Sequence, residues 1–206
     1  ALWVRFTTYG KTAHGSMPQL GINAIEHMRL LVDEFNKRFD FSKATNPMLG
    51  TSTASLNLFQ SGKQTNVIPD RCVTEFDIRT VPVQDHSKMV AEFNAMLTEL
   101  AARIPDFKAE VEVINDLPPI HTNESDKLVK LALEIGSDLL KTELQPTFLP
   151  GYTDASQFIK GNPKLPIIVF GPGQGNTAHQ TDEYITVESY LQGIEALERV
   201  ALGYLK

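Results

Sequence analysis

A histidine and a carboxylate near the end of the chain have the arrangement of a metal site. His179 and Glu183 lie in a glycine-rich stretch directly after the apolar run Leu165–Phe170. That run is typical of a buried strand, and a loop at the end of a rigid strand is a common place for a metal ligand. Neutral imidazole is a frequent zinc ligand, and a nearby carboxylate can orient it. One histidine cannot hold a catalytic metal, so the sequence predicts part of an active site whose other ligands come from elsewhere.

A second histidine, His14, lies in the stretch Gly10–Pro18, between the first predicted strand and the first predicted helix. Backbone N–H groups and the positive end of the helix dipole favour anions at a helix entrance. A histidine there could polarise a carbonyl or hold an oxyanion. The local pattern by itself is explained more simply by a solvent-exposed loop histidine, and both interpretations remain open at this point.

Further polar groups could contact a substrate. Asn66 could donate to an oxyanion, and Arg79, at the end of a predicted strand, could bind a carboxylate through its guanidinium group. A polar turn and a surface ion pair explain the same two residues without any function. The backbone near Gly151 and Thr153 could form a substrate-binding rim, although capping of the next helix is the simpler explanation.

The other histidines and the single cysteine are predicted to be structural. His27, His86 and His121 have no partner at the spacing of metal ligands, so we expect ordinary helix or loop residues. Cys72 alternates with apolar residues in a predicted strand, where a cysteine usually packs rather than reacts.

Composition narrows the class of protein. The 206 residues are 42% hydrophobic and 21% charged, as in ordinary soluble domains. The net charge of −6 argues against a nucleic-acid partner, and no apolar run approaches the roughly 20 residues of a membrane span. A single cysteine excludes an internal disulfide and favours the reducing cytoplasm. The first residue is alanine, which favours a fragment or a processed product.

The first 115 residues are predicted to form six elements. The spacing of apolar residues predicts strands at Leu2–Tyr9, Thr51–Gln60, Arg71–Thr80 and Lys108–Ile114, and helices at Asn23–Phe39 and Pro82–Ile104. The order β-α-β-β-α-β is that of a ferredoxin-like α+β domain, in which two helices cover one face of an antiparallel sheet. Asn115–Pro119 then breaks the pattern and is predicted to be a linker.

The remaining residues are predicted to alternate between strands and helices. We expect strands at Pro146–Leu149 and Leu165–Phe170, and helices at Ser125–Lys141, Asp154–Lys160 and Val187–Leu205. Two strands cannot bury both faces of a parallel sheet. The pattern therefore predicts an α/β domain that takes more sheet from elsewhere.

Together the motifs resemble a zinc-dependent aminoacylase and peptidase family that includes acetylornithine deacetylase, succinyl-diaminopimelate desuccinylase and carboxypeptidase G. The residues that carry the resemblance are Gly10–Pro18 with Asn23, Asn66–Pro69, Arg79, Gly151–Ser156, Gly171–Gly173 and Ala178–Tyr184. They run in order through nearly the whole chain, and their joint specificity is high.

The resemblance implies a two-domain enzyme with a dinuclear metal centre. Its α/β zinc-hydrolase catalytic domain carries two zinc ions, with cobalt or manganese as possible substitutes. An inserted ferredoxin-like lid domain commonly mediates dimerisation, which implies a homodimer. Residues 1–115 resemble the lid, and residues 116–206 resemble the C-terminal part of the catalytic domain.

The resemblance also implies roles for individual residues. His179 is similar to the terminal zinc ligand, and His14 to the lid histidine that stabilises the tetrahedral oxyanion, often across the dimer. Asn66 and Arg79 are similar to substrate-binding residues, with Arg79 directed toward the substrate carboxylate. The substrate pocket would also include the loop residues Gly151 and Thr153.

The sequence lacks two motifs that the family uses for metal binding and catalysis. The family's first zinc histidine lies in a His-x-Asp motif and its catalytic base in a Glu-Glu pair, and neither occurs in this sequence. Another acidic ligand is expected before the lid. The resemblance therefore implies an incomplete and inactive portion of an amidohydrolase.

The substrate implied is a small N-acyl amino acid. The stretch Ala178–Tyr184 favours the branch that acts on N-succinyl-diaminopimelate or N-acetylornithine. Two alternatives remain open, namely a non-catalytic dimerisation or binding module and a dipeptidase of the same family.

Overall fold

The computed structural model describes residues 1–149, 153–173 and 181–206. By its internal contacts the chain separates into two units, Ala1–Pro119 and Ile120–Lys206. The division falls at the end of the linker predicted from the sequence. Among the described helices, none has the length and the apolar character that crossing a membrane requires.

Four long strands form the central sheet of the first unit. In chain order its strands are β1 (Leu2–Tyr9), β2 (Ala13–His14), β3 (Thr45–Asn46), β4 (Gly50–Thr51), β5 (Thr53–Ser61), β6 (Val67–Ile68), β7 (Arg71–Arg79) and β8 (Lys108–Asp116). The long strands are ordered β5-β7-β1-β8, and every neighbouring pair is antiparallel. The short strands pair as β2 with β6 and β3 with β4.

Two helices, α1 (Ala24–Arg38) and α2 (His86–Arg103), connect the long strands. Each begins at a side-chain cap, because Asn23 accepts from the Ile25 N–H and Asp85 accepts from the N–H groups of Ser87 and Lys88. Two short 3-10 helices lie at Pro18–Leu20 and Phe41–Lys43. The observed order of strands and helices confirms the predicted ferredoxin-like β-α-β-β-α-β fold.

The core of the first unit is an aromatic cluster between the sheet and its helices. Phe6 of β1 meets Phe35 of α1, Phe76 of β7 and Phe93 of α2 edge to face, at ring-centroid distances of 5.8, 5.9 and 5.9 Å. Such contacts add stabilisation beyond the burial of the rings. Both helices are thereby fixed to the two central strands.

Strand β5 departs from the predicted alternation at one point. Leu56 lies opposite Phe76, whereas Leu58 lies opposite Glu75, because the register shifts at Asn57. This bulge places Leu58 on the Glu75 face of the sheet, although its spacing had predicted the face of Leu56. A bulge arises from pairing with the next strand, which periodicity within one strand does not report.

The second unit contains α3 (Lys127–Leu140), α4 (Ala155–Gly161) and α5 (Val187–Leu205). The three helices agree with those predicted from the sequence to within two residues at their ends. Helix α3 begins at Asp126, whose carboxylate accepts from the Leu128 N–H at 2.8 Å. Helices α3 and α5 pack through a small cluster that consists of Ala132, Ile135, Ala196 and Val200.

The two strands predicted for the second unit are wrong. Neither Pro146–Leu149 nor Leu165–Phe170 forms a strand, and the described part of this unit contains no sheet. Ile167 exchanges hydrogen bonds with the Thr122 hydroxyl instead, which donates to the Ile167 carbonyl at 2.5 Å and accepts from its N–H at 2.8 Å. A strand needs backbone partners on a neighbouring strand, and Pro166 removes one donor.

Candidate functional site

The structure brings His14 and Asn66 together, although they are far apart in the sequence. Strand β2 pairs with β6 so that His14 lies opposite Val67. The Gly15 N–H then donates to the Asn66 carbonyl at 2.7 Å. The two candidate substrate-contacting residues therefore lie on adjacent turns, at the end of the sheet where β1 finishes and β7 begins.

Two glycines allow neighbouring backbone segments to approach closely beside the β2–β6 pair. A Cβ at Gly10 would lie 2.0 Å from the Ile22 carbonyl oxygen, which no real side chain permits. A Cβ at Gly15 would lie 3.3 Å from the Asn66 backbone, so Gly15 keeps the two turns close. The glycines in the Gly10–Pro18 motif therefore have a structural reason to be there.

The His14 side chain is exposed, and its ring contacts the residue two positions later. Its Nδ1 atom lies 2.8 Å from the Ser16 hydroxyl and 3.2 Å from the Ser16 backbone nitrogen. Asn66 is also exposed. Both side chains can therefore reach a ligand from solvent, as a catalytic or binding role requires.

Arg79 lies at the opposite end of the same sheet. It is the last residue of β7, whose first residue, Arg71, follows the His14–Asn66 turns. At about 3.3 Å per residue, the length of β7 separates the two ends by about 25 Å. The Arg79 guanidinium donates to the Asp77 carboxylate at 2.8 Å, and its side chain is 43% exposed. One protomer therefore does not bring Arg79 to the site that contains His14.

The remaining predicted site residues belong to the second unit. Gly151 and His179 lie outside the residues that the structure describes, so their roles stay predictions. Thr153 accepts a hydrogen bond from the Ala155 N–H at 3.3 Å, which helps to begin α4. The N-cap residue of α4, Asp154, makes no side-chain capping hydrogen bond, and the substrate-binding role of Thr153 stays a prediction.

A metal site is not assembled by the described residues. Among them, no group of three or more histidine, cysteine, aspartate or glutamate side chains is placed to hold an ion. The residues of 1–149, 153–173 and 181–206 therefore do not fit a dinuclear zinc centre by themselves.

One partly buried polar cluster carries no motif in the sequence. His86, 10% exposed, lies between Asp116 and Thr80, with Nδ1 2.6 Å from the Asp116 carboxylate and Nε2 2.8 Å from the Thr80 hydroxyl. The cluster joins the start of α2 to the ends of β7 and β8. Thr80 precedes His86 by six residues and Asp116 follows it by 30, and the only signal in the sequence was the position of His86 at the first turn of a predicted helix.

Cys72 is buried in the core of the first unit, as its strand position predicted. Burial raises the pKa of its thiol, and only the thiolate is a strong nucleophile. A structural role fits this environment better than a reactive one.

Residues 1–105 match the M20 peptidase dimerisation domain. The chain belongs to the M20 peptidase family. The match covers the ferredoxin-like unit almost completely, including the turns that hold His14 and Asn66.

Curated relatives in the M20 family extend the match beyond this domain. A probable succinyl-diaminopimelate desuccinylase from Staphylococcus aureus strain N315 is 26% identical over 228 residues, covering 98% of this chain and 55% of the relative. An acetylornithine deacetylase from Myxococcus xanthus is 27% identical over 205 residues, covering 95% of this chain and 50% of the relative. The chain spans about half the length of these relatives.

Solved M20-type structures share the fold. A tripeptidase from Staphylococcus aureus Mu50 superposes with a TM-score of 0.71 at 21% identity, covering 100% of this chain and 52% of the tripeptidase. An M20 family metallo-carboxypeptidase from Sulfolobus solfataricus gives 0.72 at 17% identity, covering 99% of this chain and 59% of that protein. At this identity the likeness concerns the fold.

Proposed function

We propose that this chain is the lid domain and the C-terminal part of the catalytic domain of a metal-dependent amidohydrolase. The complete enzyme would remove an acyl group from an N-acyl amino acid in the cytoplasm. Residues 1–115 would form the lid, and residues 116–206 would belong to the catalytic domain. The observation that carries the proposal is the His14–Asn66 pair, built by the β2–β6 ladder inside a peptidase dimerisation domain.

His14 and Asn66 suit the stabilisation of an oxyanion. Hydrolysis of an amide places negative charge on the carbonyl oxygen as water attacks, and donors aimed at that oxygen lower the barrier. Both residues can donate a hydrogen bond, both are exposed, and the Gly15–Asn66 backbone contact holds their turns together. A dimerisation module without chemistry has no evident use for this pair.

The position of Arg79 favours an active site shared by two protomers. Groups that surround one amide bond must lie within hydrogen-bond reach of the same few atoms. His14 and Arg79 of one protomer lie at opposite ends of the sheet, whereas His14 of one protomer and the partner's Arg79 could meet in a dimer. The family's dimerisation domain supports such an assembly. Arg79 would then bind the substrate carboxylate through its guanidinium group.

The metal would be zinc, two ions per complete active site, with cobalt or manganese as possible substitutes. Bound zinc supplies an activated water for attack on the amide. His179 would be the one ligand that this chain contributes, and the loop with Gly151 and Thr153 would form part of the substrate pocket. Because neither the His-x-Asp motif nor the Glu-Glu pair occurs in this sequence, the 206-residue chain by itself would bind little zinc and would be inactive.

The decisive experiment extends the polypeptide. We expect the reading frame upstream of Ala1 to encode a His-x-Asp motif and a Glu-Glu pair, and the extended protein to bind about two zinc ions and hydrolyse N-acyl amino acids. In that protein His14→Ala should lower kcat by roughly 10² to 10³, the usual cost of losing an oxyanion donor. His121→Ala, at an exposed histidine of the second unit, is the matched control and should leave kcat unchanged.

The proposal fails if no such motifs precede the chain, if the extended protein hydrolyses no amide, or if purified 206-residue chain turns over substrate. An unchanged kcat in His14→Ala would favour the non-catalytic dimerisation or binding module. That alternative also predicts a stable dimer of the chain with no binding of N-acyl amino acids.

The first substrates to test are N-succinyl-diaminopimelate and N-acetylornithine. The Ala178–Tyr184 motif and the names of the desuccinylase and deacetylase relatives favour this branch. The structural similarity to a tripeptidase makes a small peptidase the second candidate. A comparison of kcat/KM for the two acylated amino acids and for a panel of di- and tripeptides separates the two.

A further inference from the structure

The turn after β2 fixes which nitrogen of the His14 ring carries the proton. The Ser16 backbone nitrogen lies 3.2 Å from Nδ1 and is a hydrogen-bond donor to it. A backbone N–H can only donate, so Nδ1 must offer its lone pair. In a neutral imidazole with Nδ1 as acceptor, the proton is on Nε2.

The Ser16 hydroxyl reinforces this arrangement. Its oxygen lies 2.8 Å from Nδ1 and can donate to the same lone pair. If the proton were on Nδ1 instead, the hydroxyl could accept it, but the backbone N–H of Ser16 would point at another N–H. Both donors therefore favour the Nε2–H tautomer, and the hydroxyl makes the shorter of the two contacts.

Backbone hydrogen bonds hold the turn His14–Met17 in place. The Met17 N–H donates to the His14 carbonyl at 2.8 Å, and the Gly15 N–H donates to the Asn66 carbonyl at 2.7 Å. Ser16 is thus held between two backbone hydrogen bonds that belong to the turn and to the neighbouring β6 turn. Among the described residues none makes a hydrogen bond to Nε2, and the His14 side chain is exposed.

We propose that Ser16 is a positioning residue that keeps His14 in the Nε2–H tautomer, with this N–H directed outward as a donor. The inference rests on the proposed function, because it gives the outward N–H an oxyanion or a carboxylate of the substrate as its acceptor. The proton stays on Nε2 throughout, and the ring acts as a hydrogen-bond donor to the developing negative charge.

Nitrogen NMR of the 206-residue chain tests the inference without any substrate. The chain is labelled with ¹⁵N-histidine, and long-range ¹H–¹⁵N spectra are recorded in mildly alkaline buffer, where imidazole is neutral. His14 is assigned by the loss of its signals in His14→Gln. We expect the Nε2–H pattern with no detectable Nδ1–H form in the unaltered chain and in Ser16→Thr, which keeps the hydroxyl.

Ser16→Ala is expected to show a detectable Nδ1–H form, because it removes the hydroxyl at 2.8 Å and only the longer backbone contact, at 3.2 Å, then opposes that tautomer. Ser87→Ala, the same change at an exposed serine of α2, is the control and should leave the His14 signals unchanged. An Nδ1–H pattern in the unaltered chain, or identical His14 spectra in the unaltered chain and Ser16→Ala, overturns the inference.

Kinetics of the extended enzyme separate this inference from the proposed function. Ser16→Ala should lower kcat about fivefold with little change in KM, the usual weight of one neutral hydrogen bond, and Ser16→Thr should restore it. If the NMR pattern holds but His14→Ala keeps full activity, the tautomer is correct and the catalytic role is wrong. If His14→Ala abolishes activity but Ser16→Ala leaves the tautomer unchanged, the catalytic role stands and Ser16 is not the positioning residue.

Discussion

The two units differ in how completely they bury their apolar side chains. In the first unit, Phe6 and Phe35 at the centre of the core are at most 1% exposed. In the second unit, Leu191, Ile194 and Leu197 on α5 are each at least 50% exposed. The buried cluster of the second unit contains only small and medium side chains, namely Ala132, Ile135, Ala196 and Val200.

This contrast shows that a sheet provides an apolar face against which helices can bury their side chains. In the first unit, four paired strands offer a wide apolar face that two helices cover. In the second, α5 presents an apolar stripe to solvent, and soluble domains seldom leave such a surface uncovered. The first unit therefore has the core of an independent folding unit, whereas the second needs further apolar surface, in keeping with relatives about twice as long as this chain.

Cutting the chain between the units tests the comparison most severely. We expect residues 1–119 alone to unfold in urea in one cooperative transition, because the core of this unit is complete. We expect residues 120–206 alone to lack such a transition, because the cluster between α3 and α5 is too small to offset the loss of chain entropy. Circular dichroism followed through urea titrations gives both answers, and cooperative unfolding of 120–206 would refute the contrast.

A single core substitution should show the same difference within the intact chain. Phe35→Ala is expected to lower the free energy of unfolding by about 3–5 kcal/mol, since Phe35 contacts both the sheet and α2. Phe158→Ala in α4, where the ring is 63% exposed, is the control and should change stability by less than about 0.5 kcal/mol. Similar losses for the two variants, measured by urea unfolding, would contradict the assignment of the core.

The His86 cluster predicts a smaller effect within the first unit. His86→Ala removes both contacts, and because the Asp116 side chain is 45% exposed, water can replace this partner, so we expect a cost of about 0.5–1.5 kcal/mol. The exposed His121 offers the matched control, and His121→Ala should leave the unfolding midpoint unchanged. Equal midpoints for the two variants would show that the cluster contributes nothing to stability.

The smallest predicted effect concerns an ion pair at the surface of the first unit. The hydrogen bond from Arg103 lowers the pKa of Glu34 below its ordinary value of 4.5. Because the folded-state pKa is depressed, the pair stabilises the fold above the unfolded-state pKa, and this contribution is lost as the pH falls through the folded-state value. Glu34→Gln should cost a few tenths of a kcal/mol at neutral pH, and this difference should shrink as the pH falls below the ordinary pKa of 4.5 and vanish once the folded-state carboxyl is protonated. A pH-independent difference in urea midpoints would exclude the ion pair as its source.

Local patterns predicted most of the fold of the first unit. Alternation of apolar residues is enough to locate β1, β5, β7 and β8, and helical spacing is enough for α1 and α2. The same reasoning located α3, α4 and α5. It was wrong for Pro146–Leu149 and Leu165–Phe170, because a run of strand-forming residues becomes a strand only where a neighbour supplies backbone partners.

The sequence predicted which residues belong to the candidate site, but it did not predict where they lie relative to one another. The sequence motifs identified His14, Asn66 and Arg79 as candidate residues. The pairing of β2 with β6 brings the first two together, and the length of β7 puts Arg79 at the far end of the sheet. Neither relation is visible in the sequence, where Asn66 is much closer to Arg79 than to His14.

The sequence by itself thus determined the elements of the first unit, its family resemblance and the candidate residues, because periodicity and short motifs are properties of neighbouring residues. The tertiary structure decided the bulge at Asn57, the contact of Ser16 with the His14 ring and the position of His86 between Thr80 and Asp116. Each of these depends on how the backbone turns or on which distant segments meet. The bulge and the His86–Asp116 contact form only when distant segments of the sheet pair, whereas the Ser16 contact depends on the conformation of its own turn.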